Sequence, residues 1–125
     1  MLLPPPLSKS MRKESRIISE NQTAQFTREG FDGKTYIDKQ EAAGFTVLKI
    51  AVHGKHPRKQ MLGDTTRTYF VIKGTGSFIV DEREQSVGEG DCIVVYGGST
   101  YEYAGVMTLL ELNVSPSNSF GDRKL

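Results

Sequence analysis

The chain has few of the residues that build disulfides and metal sites. Cys92 is the only cysteine, and His53 and His56 are the only histidines, among 125 residues. A lone cysteine excludes an intrachain disulfide and a cysteine-based zinc site. Because Cys92 belongs to the apolar run 92–95, we expect it to be a small buried residue with an inert thiol.

Long apolar stretches and an excess of one charge are also missing. No run approaches the roughly 20 apolar residues of a membrane-spanning helix, and 16 Lys and Arg residues balance 15 Asp and Glu residues. Prolines at 4–6 interrupt the apolar start, which argues against a signal peptide. We therefore expect a cytoplasmic protein that binds neither nucleic acid nor membrane. We expect one domain over residues 13–116, between a disordered tail at 1–12 and a flexible tail at 117–125.

What the sequence does contain is a series of short β-type runs separated by glycine and aspartate. Strands are predicted at 16–19, 34–37, 45–52, 65–72, 77–80, 92–96, 99–103 and 106–114. Lys73–Gly76 is predicted as a hairpin turn, and residues 81–85 as a polar loop. Many short antiparallel strands must protect their edges, and closure into a barrel or a double-sheet jelly roll does so. The sequence thus predicts an all-β fold.

The order of these features resembles a cupin over about residues 45–114. The first cupin motif ends in a strand followed by glycine, as in Tyr69–Gly74, and the second opens with Gly-Asp, as in Gly90–Asp91. Gly98 matches the turn glycine of the second motif, and Tyr96 stands where that motif has proline. The resemblance implies a cupin jelly-roll barrel. Because cupins commonly pair through their sheets, it also implies a homodimer.

The resemblance further implies where a cupin holds a divalent metal, and those positions carry other residues here. The family uses two histidines and a glutamate from the first motif and a histidine from the second. The glutamate position falls on Arg67 and the last histidine position on Tyr101, while the first two fall on Gln60 and Leu62, or on Met61 and Gly63. Arginine donates hydrogen bonds and repels a cation. We therefore expect no metal and no other cofactor.

The two histidines form a separate His-x-x-His pair. Residues three apart on a strand point to opposite faces, so His53 and His56 share a metal only if the loop 54–57 folds them together. No third or fourth ligand is evident from the sequence. The same segment, 53–59, is the densest positive patch, and it lacks the interleaved aromatics of a nucleic-acid site. It is either a solvated loop or a barrel mouth that steers an anionic substrate.

Arg67 is the most informative departure from the cupin pattern. Strand alternation puts Arg67 and Tyr69 on one face, and the resemblance turns that face inward. A buried guanidinium needs acceptors. These are either a protein group, namely Asp64, Glu102 or Glu111, or a carboxylate or phosphate of a ligand.

Tyr101 and Tyr103 share one face of the later strand. A phenol can donate and accept a hydrogen bond, and beside an arginine Tyr101 is a conceivable general acid or base. The alternative is that these rings only fill the interior.

Three functions remain open from the sequence. The first is a metal-independent cupin that binds a small polar or anionic molecule through Arg67, Tyr69, Tyr101, Tyr103 and Gln60. The second is a metal-independent isomerase, epimerase or lyase that acts on a sugar derivative or a similar small substrate. In it Tyr101 and His53 are the catalytic pair, provided that His53 faces the interior. The third is a structural or interaction module with a closed core.

Overall fold

The part of the chain that the structure describes is almost entirely β-strand, as the sequence predicts. This computed structural model describes residues 14–56 and 59–115, and the backbone of 122–124. The strands are β1 (Ala24–Arg28), β2 (Phe31–Ile37), β3 (Phe45–Lys55), β4 (Gln60–Leu62), β5 (Thr66–Val80), β6 (Arg83–Gly88), β7 (Cys92–Val95), β8 (Thr100–Val114) and β9 (Asp122–Lys124). Two 3₁₀ turns occupy Glu20–Gln22 and Lys39–Glu41.

The predicted tails fall largely beyond these residues. The N-terminal tail at 1–12 lies outside the described residues. So does most of the C-terminal tail, within which residues 122–124 form β9. Among the described residues, no helix has the length and apolar character needed to cross a membrane.

Strand β8 is the centre of the antiparallel sheet. Along most of its length it pairs with β3 on one side and with β5 on the other. The sheet continues from β3 to β2 and β1. On the other side, β6 and β7 both pair with β5, one with each half of that long strand. Strand β4 pairs with the beginning of β8 and with β9.

A row of glycines crosses the three longest strands. Gly105 of β8 lies opposite Gly54 of β3 and opposite Gly76 of β5. Gly105 has φ +144°, and a Cβ atom added there would lie 2.5 Å from the Cα of Gly76. Only glycine combines this backbone conformation with so close an approach. We call this row the glycine seam, and all three strands pass through it without a break in pairing.

The glycines at 74 and 76 do not make the predicted hairpin turn, and that prediction is wrong. Lys73–Gly76 lies inside β5, where the pairing with β8 shifts register between Val71 and Lys73, as in a β-bulge. The turn comes later, at Asp81 and Glu82, which both have positive φ. Most of the predicted polar loop 81–85 is therefore the start of β6.

Other predicted boundaries also change. The segments 99–103 and 106–114 are one strand, β8, because its pairing with β3 and β5 continues through Gly105. Residues 16–19 form no strand, whereas β1 was not predicted. The prediction that Cys92 is buried is wrong as well, since its side chain is exposed on the outer face of β7. On this short strand, Ile93 and Val95 point inward instead.

Candidate functional site in the barrel interior

Arg67 lies at the centre of a buried polar cluster. The alternation of β5 points Arg67 and Tyr69 inward, as predicted, and only 8% of Arg67 is exposed. Its Nε donates a hydrogen bond to Oδ1 of Asn113 and lies 3.9 Å from Oε2 of Glu111. Of the predicted protein partners, Glu111 therefore lies beside the guanidinium. Asn113 was not foreseen.

The hydroxyl of Tyr101 connects several of the predicted site residues. It accepts hydrogen bonds from Nη1 of Arg67 and from the Tyr69 hydroxyl, the latter at 3.3 Å. It donates to Oε1 of Gln60 at 2.9 Å, and Gln60 lies opposite Tyr101 in the pairing of β4 with β8. The structure thus brings Gln60, Arg67, Tyr69 and Tyr101 into contact. Their role in ligand binding stays a prediction.

Asn113 supports Arg67 from the far side of the cluster. Its Nδ2 donates to Oγ1 of Thr46 and to Oε2 of Glu111, both at 2.9 Å. Thr46, Glu111 and Asn113 are all buried. Buried polar groups that are satisfied in this way hold one another in a single arrangement. The network therefore fixes the guanidinium in place before any ligand arrives.

Tyr103 lies at the centre of an aromatic cluster beside the polar one. Its ring is 4.6 Å from the ring of His56, 5.1 Å from that of Phe78 and 5.7 Å from that of Tyr69. Among the described residues, no group forms a hydrogen bond with the Tyr103 hydroxyl. Burial, and then the charge of Glu111, raise the pKa of Tyr103. Burial likewise raises the pKa of Tyr69 well above its ordinary value. Both phenols therefore stay protonated at neutral pH and act as hydrogen-bond donors.

The two histidines lie in very different surroundings. His53 lies on the outer face of β3, with 54% of its side chain exposed and Nε2 3.5 Å from Oδ2 of Asp32. The proposed pairing of His53 with Tyr101 in the interior is therefore wrong. His56 is only 4% exposed, stacks on Phe31 with the rings 9° from parallel, and lies 5.5 Å from the ring of Tyr101.

His56 is the residue that the sequence reasoning missed as an interior group. It follows the glycine seam by two positions, and its backbone N–H donates to the carbonyl of Tyr103 at 2.7 Å. Period-two alternation along β3 is unbroken, because Ile50, Val52 and His56 are buried while His53 is exposed. The signal was therefore in the sequence, since the face that carries Ile50 and Val52 also carries His56.

Comparison with known proteins shows what kind of fold holds this cluster. No protein-family model and no curated protein matches the sequence. Among solved structures, the Streptomyces nucleoside dehydratase Pac13 is 21% identical, with a TM-score of 0.78 over 90% of this chain and 92% of that one. The cupin domain of Schizosaccharomyces pombe Cnp3 is 11% identical, with a TM-score of 0.66 over 78% of this chain and 72% of that one. KdgF from a Halomonas species is 8% identical, with a TM-score of 0.70 over 81% and 94%.

This chain has the cupin fold. Because the sequence identity to these structures is below 25%, the comparison shows that the fold is shared and does not assign a function. The polar and aromatic clusters lie inside this fold, at the positions where the resemblance to cupins implies a metal site. A shared fold does not by itself determine what they do.

The residues at the cupin metal positions do not fit a divalent cation. Arg67 stands at the glutamate position, and its positive charge lies between Tyr101 and Asn113. Tyr101 at the last histidine position is a protonated phenol that already donates to Gln60. Across the described ranges, no group of three or more His, Cys, Asp and Glu side chains is arranged to hold a metal.

A groove of about 580 Å³ opens between β6 and β7, beside the aromatic cluster. Phe78 connects the two, because its side chain lines the groove and its ring also packs on Tyr69 and Tyr103. The volume is within the range of small-molecule sites. The other residues that line the groove are Val80, Asp81, Arg83, Gln85, Val87, Asp91, Cys92, Ile93 and Val94.

Proposed function

We propose that this cupin is a metal-independent lyase that removes water from a nucleoside or a similar sugar derivative. In this proposal His56 is the catalytic base, and the hydroxyls of Tyr103 and Tyr69 bind the reacting oxygen. The proposal replaces His53 with His56 in the predicted pair, and it adopts the lyase among the functions that the sequence left open. Arg67 serves to fix Tyr101, since the protein already supplies its acceptors.

The observation that carries the proposal is the spacing of three interior residues. Three variants of Streptomyces Pac13 have been solved with uridine, one with a histidine replaced by glutamine and two with a tyrosine replaced by phenylalanine. In that protein the replaced histidine precedes the first tyrosine by 13 positions, and that tyrosine precedes the second by 34. His56, Tyr69 and Tyr103 have the same two separations here. All three lie in one aromatic cluster.

The geometry of the cluster suits proton transfer at carbon. A histidine is a strong enough base at neutral pH only for a C–H bond that a neighbouring carbonyl acidifies. The Tyr103 hydroxyl has no partner among the described residues, and its ring touches that of His56. A carbonyl oxygen bound there would place the adjacent carbon beside the imidazole. The Tyr103 hydroxyl would then donate to the oxygen as negative charge develops on it, and the Tyr69 hydroxyl would join it by turning its single proton from Tyr101 to the substrate.

The elimination balances with these groups alone. His56 takes the proton from the carbon, and the electrons of the C–H bond pass to the carbonyl oxygen, which Tyr103 and Tyr69 stabilise. The enolate then re-forms the carbonyl, the C–O bond to the leaving hydroxyl breaks, and a C=C bond forms. His56 gives its proton to the departing oxygen, which leaves as water. Because burial makes a tyrosinate costly here, we assign the proton to His56 throughout and hydrogen bonding to the tyrosines.

A matched pair of histidine variants tests the proposal. The full chain is incubated with nucleosides oxidised to a carbonyl at one ribose hydroxyl, and mass spectrometry follows the loss of one water. We expect His56→Gln to lower kcat by about 10²–10⁴-fold, as for loss of a general base. His53→Gln, which alters an exposed outer residue, is expected to keep full activity. Equal activity of the two variants would overturn the assignment. Binding of these compounds without turnover would favour the small-molecule-binding cupin instead.

A further inference from the structure

We infer that the groove between β6 and β7 holds the base of the nucleoside-type substrate, with Gln85 and Arg83 recognising the edge of the ring. This inference rests on the proposed function and deepens it. It assigns a recognition site separate from the reacting centre, and it defines the base as a neutral ring that carries carbonyl and N–H groups.

The pairing of β6, β5 and β8 places the groove and the reacting centre in one row of residues across the sheet. Phe78 of β5 lies opposite Tyr103 of β8 on one side and opposite Gln85 of β6 on the other. Residues that lie opposite one another in a sheet project from the same face, so Gln85 shares the inner face with Phe78. Neighbouring strands are about 4.8 Å apart, so the backbones of Gln85 and Tyr103 are about 10 Å apart. One small molecule can therefore contact both residues.

The groove has an apolar floor suited to a flat ring. Phe78, Val80, Val87 and Ile93 all line it. Phe78 is held from behind by the rings of Tyr69 and Tyr103, at 5.2 and 5.1 Å. A nucleobase gains free energy when its faces are covered by apolar side chains. Only 2% of Phe78 is exposed, so Val80, Val87 and Ile93 provide most of this apolar surface, and Phe78 connects it to the reacting centre.

The polar side chains of the rim can recognise the edge of a base. Arg83 lies opposite Val80 in the pairing of β5 with β6, so it is on the same face as Gln85, two residues further on. Both side chains are exposed in the groove, and among the described residues neither has a hydrogen-bond or ion-pair partner. An amide both donates and accepts, which complements a carbonyl beside an N–H group, while a guanidinium donates to a second carbonyl. Together they match an imide-type edge.

The charge of the groove favours a neutral ligand over an anion. Two carboxylates, Asp81 and Asp91, line it together with the single guanidinium of Arg83. Asp81 accepts from Ser99 Oγ and from the Thr100 N–H, and Asp91 accepts from the Gly88 N–H, so all these carboxylate contacts are to neutral donors. The groove therefore keeps a net negative formal charge, and a phosphate there would be repelled.

Calorimetric titration of the full chain with uridine tests the inference. We expect Gln85→Leu and Arg83→Met each to weaken uridine binding about tenfold, because each removes hydrogen bonds to the base. Glu84→Gln is the matched control, since Glu84 lies between them in sequence on the opposite face of β6, and its affinity should equal that of the unaltered chain. Thermal melting verifies that each variant is folded.

Ligand analogues test the same contacts without a mutation. We expect 3-methyluridine, which lacks the N–H of the imide edge, to bind the unaltered chain about tenfold more weakly than uridine. The difference should disappear in Gln85→Leu. Unchanged uridine affinity in both groove variants, or no uridine binding to the unaltered chain, would overturn the inference.

Two further outcomes distinguish a base-binding groove from an anion site, and from a failure of the proposed reaction. If uridine 5′-monophosphate binds tenfold more tightly than uridine and Arg83→Met removes that gain, the groove is an anion site and the inference is wrong. The His56→Gln variant should bind uridine normally while losing turnover. Turnover that survives in His56→Gln would overturn the proposed reaction, whereas uridine affinity in the groove variants tests the base site alone.

Discussion

The guanidinium of Arg67 donates to the hydroxyl of Tyr101 in the interior of the barrel. The same guanidinium donates through Nε to Asn113 and lies beside the carboxylate of Glu111. These protein groups therefore compensate the charge of Arg67 and hold its side chain in one orientation. Arg67 stands at the position where metal-binding cupins have a ligand glutamate, and it fixes the phenol of Tyr101, which stands where they have a histidine.

Replacement of Arg67 by lysine should destabilise the fold. Different nitrogens of the guanidinium reach Tyr101 and Asn113, and a single ammonium group does not reproduce that planar fork. We expect Arg67→Lys to lower the free energy of unfolding by about 2 kcal/mol, as for a lost buried hydrogen bond to a charged group. Urea unfolding measures the change. Arg83→Lys, at an exposed position, should stay within about 0.5 kcal/mol of the unaltered chain. Equal losses in the two variants would contradict the role given to Arg67.

Removal of the Tyr103 hydroxyl should affect catalysis more than binding. In the proposed reaction this hydroxyl donates to an oxygen whose charge grows in the transition state, so its contribution appears mainly in kcat. We expect Tyr103→Phe to lower kcat by about 10²–10³-fold with little change in KM. Steady-state kinetics on the dehydration assay gives both constants. Tyr96→Phe, at an exposed turn position, is the control, and a loss of activity confined to KM would count against the role of Tyr103.

The buried phenols should make stability depend on pH in the alkaline range. The pKa values of Tyr69 and Tyr103 are raised in the folded chain, mainly by burial. Below the unfolded value of about 10 both states keep these protons, so the two tyrosines cause no pH dependence there. Above about pH 10 the unfolded chain loses protons that the folded chain retains, and the free energy of unfolding falls as pH rises.

Urea unfolding between about pH 8 and 11 measures this slope around the ordinary tyrosine pKa. Tyr103→Phe should make the alkaline decline shallower, since one of the two retained protons is gone. Tyr96→Phe should leave it unchanged, because Tyr96 is 62% exposed. An identical decline in Tyr103→Phe and in the unaltered chain would show that this phenol titrates alike in both states.

The glycine seam gives a prediction about backbone packing. A Cβ atom on Gly105 would approach the Gly76 Cα to 2.5 Å and the Thr75 carbonyl oxygen to 2.6 Å, at a φ of +144°. We expect Gly105→Ala to cost about 3 kcal/mol or more, since neither strand can yield without breaking its ladder. Gly90→Ala is the control, because Gly90 has φ +91° with nothing within 4 Å of the added Cβ. It should lose only about 1 kcal/mol. Thermal unfolding of the two variants compares the costs.

Features that follow strand alternation could be predicted from the sequence. The resemblance to cupins implied that Arg67 points inward, and period two then placed Tyr69 on the same face. Tyr101 and Tyr103 followed in the same way from the second motif. Both residues are almost fully buried. Alternation is a local property of an extended chain, so it needs no knowledge of the partner strands.

Features that depend on bends and on distant packing could not be predicted. The choice of His53 as the interior histidine was an error of another kind, because alternation from Ile50 and Val52 puts His56 inward and His53 outward. Asn113 belongs to the site because it lies opposite Arg67 in the pairing of β5 with β8. The two residues are 46 positions apart in the chain, and the sequence alone does not specify the register in which such distant strands pair. Cys92 proved exposed because one face of β7 points out of the barrel. The homodimer stays a prediction.

The curvature of β8 also determines the dimensions of the site. Tyr101 and Asn113 are twelve residues apart on β8, and in a straight strand they would be about 40 Å apart. Yet a single guanidinium, that of Arg67, touches both. Two opposing walls of the site are therefore parts of one continuous strand that curves strongly between Tyr101 and Asn113. The separation of those walls depends on the curvature of β8, so a change of backbone angle within it, for example at the positive φ of Gly105, would resize the site without altering any residue that lines it.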